Sequence, residues 1–188
     1  MLAGVTASPS LGSLHLVPVP ERPDLLAAPV LAAVRAVPGL AAQTWVTEID
    51  PAVSDTTALV AAHDVPAGAS ANCVLVAGRR EGVERVAACL VLATTRADVN
   101  GTVRRLLDVR KASFLDTDRA VAESGREYGA ITPVGLPPGW RLLVDARVVA
   151  QSLVLIGAGV RQGKLLLPGA ALAGLPGAEV VEGLAAEA

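Results

Sequence analysis

Aromatic rings are nearly missing from this sequence. Its 188 residues hold two Trp, one Tyr and one Phe, an aromatic fraction of 2%, although 52% of the residues are hydrophobic. The core must therefore be filled by Ala, Val and Leu. Stacking platforms for single-stranded nucleic acid are scarce at this level. A basic excess is missing too. Lys and Arg number 16 against 18 Asp and Glu, and the net charge is −2. This argues against a protein that grips duplex DNA over a broad face. Two cysteines without a CxxC pair, Cys73 and Cys89, and two histidines leave little from which to build a His/Cys metal site. No metal and no organic cofactor are expected. Both cysteines fall in apolar runs and read as buried thiols in a reducing compartment. Mean hydropathy is +0.51, yet no run approaches the roughly 18 apolar residues of a membrane span. The N-terminal segment lacks the basic start and apolar stretch of a secretory signal, and a cytoplasmic location is the expectation.

What is present is a chain of strand and helix signals with clear punctuation. The length suits one domain of about 100–200 residues, so residues 1–188 are read as a single unit. The first 20 residues are read as irregular, or as an edge strand around Ser13 to Val17. Residues 23–40 predict a helix stopped at Pro38-Gly39, and 44–49 a strand. Ser54 or Asp55 is expected to cap a helix running to about Ala62. Residues 72–77 and 85–94 predict a hairpin. Asn100 is expected to cap a helix with Val99, Val103, Leu106 and Leu107 on one side and Arg104 and Arg105 on the other. A short strand over 111–115 follows. Asp116 should then cap a helix through Ser124, closed by Gly125. Strands at 142–145 and 179–181, a hairpin over 152–156 and 164–167, and a short helix over 169–174 complete the chain. Hairpins among single strands do not suit a doubly wound alternation. They predict a mixed α/β (α+β) sheet with helices packed outside it.

Between the helix ending at Ser124 and the strand ending at Asp145 lies the Gly/Pro-rich stretch REYGAITPVGLPPGW. It contains a Gly-x-x-x-Pro turn, Gly129-Ala130-Ile131-Thr132-Pro133. With the helix after Ser54, the 72–94 hairpin, the helix from Asn100, the RKASF strand and Val144-Asp145, residues 54–182 resemble the YbaK family, the prolyl-tRNA synthetase-associated editing domain. The resemblance implies a six- to seven-stranded mixed sheet, partly closed and surrounded by helices. It also implies hydrolysis of the ester of a mischarged aminoacyl-tRNA, here by a free-standing protein. The implied partner is the tRNA acceptor end, with no DNA, no membrane, and a monomer or weak homodimer. One position departs from the family, which carries a lysine on the first hairpin strand where this chain has Asn72. An amide cannot supply that positive charge. Two functions therefore stay open. One is a deacylase whose chemistry other groups carry. The other is a non-catalytic module of the same fold that binds aminoacyl-tRNA, a nucleotide or an amino acid. If Asn72 occupies the lysine site, Asn72→Lys should raise activity.

The candidate catalytic residues are Asn72, Gly129 and Asp145. Amides of the 129–133 turn can meet negative charge on a carbonyl oxygen, Gly129 admits close approach, and Pro133 fixes a dihedral. Ala130, Ile131, Thr132, Pro133 and Gly135 are read as substrate contacts. Thr56 and Thr57 either touch the ribose or serve helix capping. Asp145 either positions water or the amino group, or caps the turn that follows it. Arg104, Arg105 and Lys111 either contact acceptor-stem phosphates or form a solvated face. Asn72 and Cys73 are strand neighbours and should point to opposite sides, so Cys73 is not expected to be a nucleophile. Lys164, in a Gly-rich hairpin, is a further candidate to reach the pocket, with no sharper role read for it.

Overall fold

Turn chemistry sets the central hairpin. In the computed structural model, which describes residues 8–187, Glu81 and Gly82 both take positive φ, 53° and 80°. Two left-handed residues in succession make a tight turn whose twist matches the strands it joins. The strands on either side pair antiparallel from Ala71 opposite Leu92 to Arg80 opposite Val83.

In chain order, strand β1 (Val17–Pro18) is followed by helix α1 (Ala28–Ala36), with Pro29 in its first turn, and by strand β2 (Trp45–Glu48). Helix α2 (Thr56–His63) leads into the hairpin, β3 (Ala71–Arg80) and β4 (Val83–Leu92). Next come β5 (Thr95–Ala97), α3 (Arg104–Leu107), β6 (Ala112–Phe114) and α4 (Thr117–Ser124). Strand β7 (Arg141–Asp145), helix α5 (Ala146–Val149) and the hairpin β8 (Val154–Gly157) and β9 (Gly163–Leu167) follow. Helix α6 (Gly169–Ala173), β10 (Ala178–Val181) and β11 (Ala185–Glu187) end the described chain.

The mixed α/β class expected from the sequence is present. The strands divide into three open sheets rather than one partly closed one. Five strands lie in the order β10-β7-β4-β3-β6, four in the order β1-β2-β9-β8, and β11 pairs with β5. β7 runs parallel to both β4 and β10, and every other pairing is antiparallel. The two larger sheets meet at a single bridge, Ser70 to Leu155. Closure fails because β3 finds few partners on its outer edge. β6 pairs only with Val76 to Gly78, and ahead of it the edge carries just the Leu115–Leu75 bond and the bridge at Ser70 among the described residues.

Several boundaries follow the local chemistry read above. Asp55 caps α2, Asp116 caps α4, and Gly125 closes α4 at φ 67°. The edge strand near the N-terminus is shorter than expected, Val17–Pro18, and residues 1–7 of that segment lie outside the described ones. The expected Asn100 cap is corrected. Asp98 accepts the Gly101 and Thr102 amides at 3.0 and 2.8 Å, and the chain enters α3 through a π-helical turn over Val99–Val103. The apolar spacing still places Val103 and Leu107 in the core. The β5–β11 pair carried no sequence signal strong enough to be expected. Leu75, Leu90 and Val144 pack on one face of the five-stranded sheet. Val76, Cys89, Val91 and Leu143 pack on the other, with α3 against them. Among the described residues no helix is long and apolar enough to cross a membrane.

Candidate functional site

A Gly/Pro-rich segment has no ladder to hold it, and here a buried guanidinium does so. Arg126 is 2% exposed. Its Nη1 donates to Ser124 O at 2.7 Å, and its Nη2 donates to Val134 O and Gly135 O at 2.6 and 2.7 Å. Burial pushes the group below its ordinary pKa, and the nearby Cys73 works weakly against that. The end of β8 lies directly beneath the segment. A Cβ on Gly157 would come within 2.6 Å of Ile131 O and 2.7 Å of Ala130 O. Only glycine permits that approach. Gly129 itself takes φ 80°, and Ala130 O accepts the Gly159 amide at 3.0 Å.

The turn roofs a cavity of about 920 Å³. Its other walls are residues 54–57 at the start of α2, the edge of β3, one side of α4, and the paired strands β8 and β9. The β3 wall is a gap in a ladder. Leu115 donates its amide to Leu75 O at 2.9 Å, so Leu75 turns its backbone outward. Backbone direction repeats every second residue in an antiparallel strand, so Cys73 turns outward as well, between that bond and the Ser70–Leu155 bridge. Because the cavity runs along this unpaired edge, Asn72 and Cys73 both border it. This corrects the expectation that only one of them would. Burial pushes the Cys73 and Cys89 thiols up to about 12. Both are free cysteines, and neither is a thiolate at neutral pH.

The polar groups of the cavity come from distant parts of the chain. Thr56 Oγ1 donates to Asn72 Oδ1 at 2.7 Å, and the Asn72 amide nitrogen has no acceptor among the described residues. Lys164 is 8% exposed and donates from Nζ to Ser54 O at 2.9 Å. It forms no ion pair with a carboxylate among the described residues. Burial pushes its ammonium below the usual lysine value, Asp55 works against that, and Arg161 adds to it. Arg161 stands at the rim, donating to Pro51 O at 2.7 Å and to Tyr128 O at 3.3 Å. Ser54 Oγ and Ser70 Oγ are buried without a partner among the described residues. Among the described residues Asp55 is the one carboxylate lining the cavity, and its Oδ1 already accepts the Thr57 and Ala58 amides. Two cations against one carboxylate make this an anion-favouring hollow.

Of the residues singled out from sequence, Thr56, Thr57, Asn72, Gly129 and Ile131 meet at this cavity. Ala130, Thr132 and Pro133 are buried within the turn and do not line it. Gly135 packs against Pro29 of α1, where a Cβ would come within 2.4 Å of Pro29 O. Asp145 is corrected. It is 1% exposed and does not line the cavity. Its Oδ1 accepts the Arg147 amide and Nε, both at 2.9 Å, and its Oδ2 accepts Arg147 Nη2 and the Ala185 amide at 2.9 and 3.0 Å. Burial works to raise this carboxyl, but the Arg147 guanidinium with the two amides outweighs it and holds the carboxyl below the ordinary range. Of the alternatives read from sequence, Asp145 takes the capping one. Arg104 and Arg105 are exposed on α3, which covers the opposite face of the five-stranded sheet from Leu75 and Leu115. Lys111 lines a smaller depression next to Phe114. Lys164, named from sequence only as a hairpin lysine within reach of the pocket, does line it, and Ser54, named only as a cap, lines it as well; Arg161, Arg126, Phe114 and Tyr128 carry no sequence reading. A lone lysine in a wholly buried strand, Gly163–Leu167, was the one available signal, since a charge there needs a reason.

The profile of a family described as the aminoacyl-tRNA editing domain matches residues 50–175, a span that contains every wall of the cavity. No curated protein matches the sequence. Among solved structures, a candidate trans-editing enzyme for prolyl-tRNA synthetase is similar with a TM-score of 0.71 at 19% identity, over 86% of this chain and 97% of that one. A scaffold from epitope backbone grafting by computational design gives 0.71 at 20% identity, over 86% and 97%. A hypothetical protein gives 0.61 at 21% identity, over 69% and 83%. At these identities the likeness is one of fold.

Proposed function

Because the chain belongs to the aminoacyl-tRNA editing domain family, we propose that it is a deacylase that hydrolyses the ester of a mischarged tRNA in this cavity. The observation that carries the reading is Lys164, an ammonium buried in the cavity wall and bonded to a neutral carbonyl rather than a carboxylate. When water attacks an ester, the carbonyl oxygen acquires negative charge. A fixed cation in a site poor in water stabilises that charge. The Ile131 amide, at the cavity lining, has no acceptor among the described residues and supplies a further donor. Asn72 donates from its amide nitrogen to the substrate. The water oxygen bonds to the ester carbon, the bond to the ribose oxygen breaks, and the water's proton ends on that oxygen. Asp55, with Oδ2 uncommitted, is the group available to carry the proton across. The products are a free amino acid and a tRNA with its terminal hydroxyl restored.

The test is incubation of the purified protein with tRNAs mischarged with Ala, Ser or Cys. Release above the uncatalysed rate, lost in Lys164→Met, supports the reading. Binding without release would replace it with a non-catalytic module of the same fold.

A further inference from the structure

Phe114 and Tyr128 are the one Phe and the one Tyr of the chain. An aliphatic core usually absorbs such rings, because burying them is favourable. Here both are exposed, at 64% and 66%, and both line the same cavity. Phe114 ends β6, just before the cap of α4, and Tyr128 follows the glycine that closes α4. A helix of eight residues spans about 12 Å. The two residues therefore flank opposite ends of α4, one side of which lines the cavity, so each ring is read as a separate platform. Each of these two residues has a cation in its neighbourhood. Arg161 donates to the Tyr128 carbonyl. Phe114 also borders the depression lined by Lys111, which has no ion-pair partner among the described residues. A ring with a neighbouring cation holds a base by its face and a phosphate by charge.

We propose that Phe114 and Tyr128 are stacking platforms for two different unpaired bases of the nucleic acid whose aminoacylated end enters the cavity. This rests on the deacylase reading, which makes the occupant the single-stranded 3′ end of tRNA. The cavity interior takes the ester, and the two exposed rings on its lining set the register of the strand. A duplex does not fit, because its bases already stack on one another. Recognition by these rings is indifferent to base identity, since every base has a face to offer.

The test measures binding of a labelled cytidine-cytidine-adenosine trinucleotide to the full chain, beside an abasic ribose-phosphate trimer of equal charge. Phe114→Ala and Tyr128→Ala are each expected to weaken trinucleotide binding roughly tenfold. Phe114→Trp and Tyr128→Phe keep it, and the abasic trimer is indifferent to all four. In deacylation the alanine variants raise KM and leave kcat unchanged. If both alanine variants bind and turn over like the wild type, the platforms are refuted and the deacylase reading stands. If the wild type neither binds the trinucleotide nor releases amino acid, both fall together. If the alanine variants instead dissolve a dimer in sedimentation, a second copy covers the rings and the proposal is overturned.

Discussion

Lys164 Nζ reaches the main-chain carbonyl of Ser54 at 2.9 Å, a contact between residues 110 positions apart. It joins the floor of the cavity, on β9, to the segment that leads into α2. A buried ammonium satisfied by a neutral oxygen is poor for stability and useful for an anion. Lys164→Met should therefore lower kcat about 10²–10³-fold, the loss typical of one oxyanion donor. Replacing a buried charge with an apolar side chain is often neutral or stabilising. The melting temperature of Lys164→Met is accordingly expected to match or exceed that of the wild type. A fall in stability that parallels the fall in activity would make Lys164 structural instead.

The alkaline limb of the pH–rate profile should report the same group. Burial places the Lys164 pKa below the ordinary 10.5, and the charged form does the work proposed for it. The limb of kcat/KM should thus fall before pH 10.5 is reached, and Lys164→Arg should remove it. Stability runs the other way. Between the folded and unfolded values the unfolded chain holds more protons, so stability rises with pH across that interval. In Lys164→Met this rise should vanish. Denaturant midpoints taken at stepped pH check it.

For Asn72→Lys the sequence alone points to a gain in activity. The geometry reverses the sign, because a third cation would enter a cavity already holding Lys164 and Arg161. The single variant should lose stability without gaining rate, while in the Lys164→Met background it should restore rate. A double-mutant cycle measures the coupling, and additive effects would separate the two positions.

Gly157→Ala places a methyl against two backbone oxygens that cannot swing aside. A loss of about 1–3 kcal/mol is expected from the overpacking, with a fall in kcat as the turn lifts from β8. Gly68 has ordinary φ and open space around it, so Gly68→Ala should stay within about 0.5 kcal/mol of the wild type. Equal effects at both sites would mean that the seating of the turn on β8 is unimportant.

Asp145→Asn tests the relocated carboxylate. Its lowered pKa contributes stability that is present above the unfolded carboxylate value, near 3.9, and is lost as pH falls through the folded one. The variant should be less stable at neutral pH by about 1–3 kcal/mol and flatter in acid, with turnover per folded molecule unchanged. A selective loss of turnover would return Asp145 to the site.

Features whose causes are local were legible. Asp116 and Gly125 bracket α4 because a cap and a left-handed stop act within one turn. Asn100 was misread because Asp98, two residues earlier, is an equally good cap, and only the path of the chain decides between them. Asp145 was ambiguous because Arg147 lies two residues on, while β11 arrives from 40 residues away to supply the Ala185 amide. The single sheet implied by the resemblance failed on the outer edge of β3, where hydrogen-bond partners are chosen by tertiary packing. The reach of Lys164 to the pocket was legible from its Gly-rich hairpin but its role was not, since its partner is a main-chain carbonyl, which leaves no mark in a sequence.

The unpaired stretch of β3 gives the pocket a wall made of peptide groups. Whatever occupies it can meet the N–H and C=O of residue 73 regardless of the side chain there. Drift at that position is therefore nearly free of consequence for recognition, and a scan of alanine variants would pass over it in silence. Proline, or a backbone ester introduced by chemical synthesis, would delete the donor itself. Homologues sharing this wall would share a contact that no alignment column records.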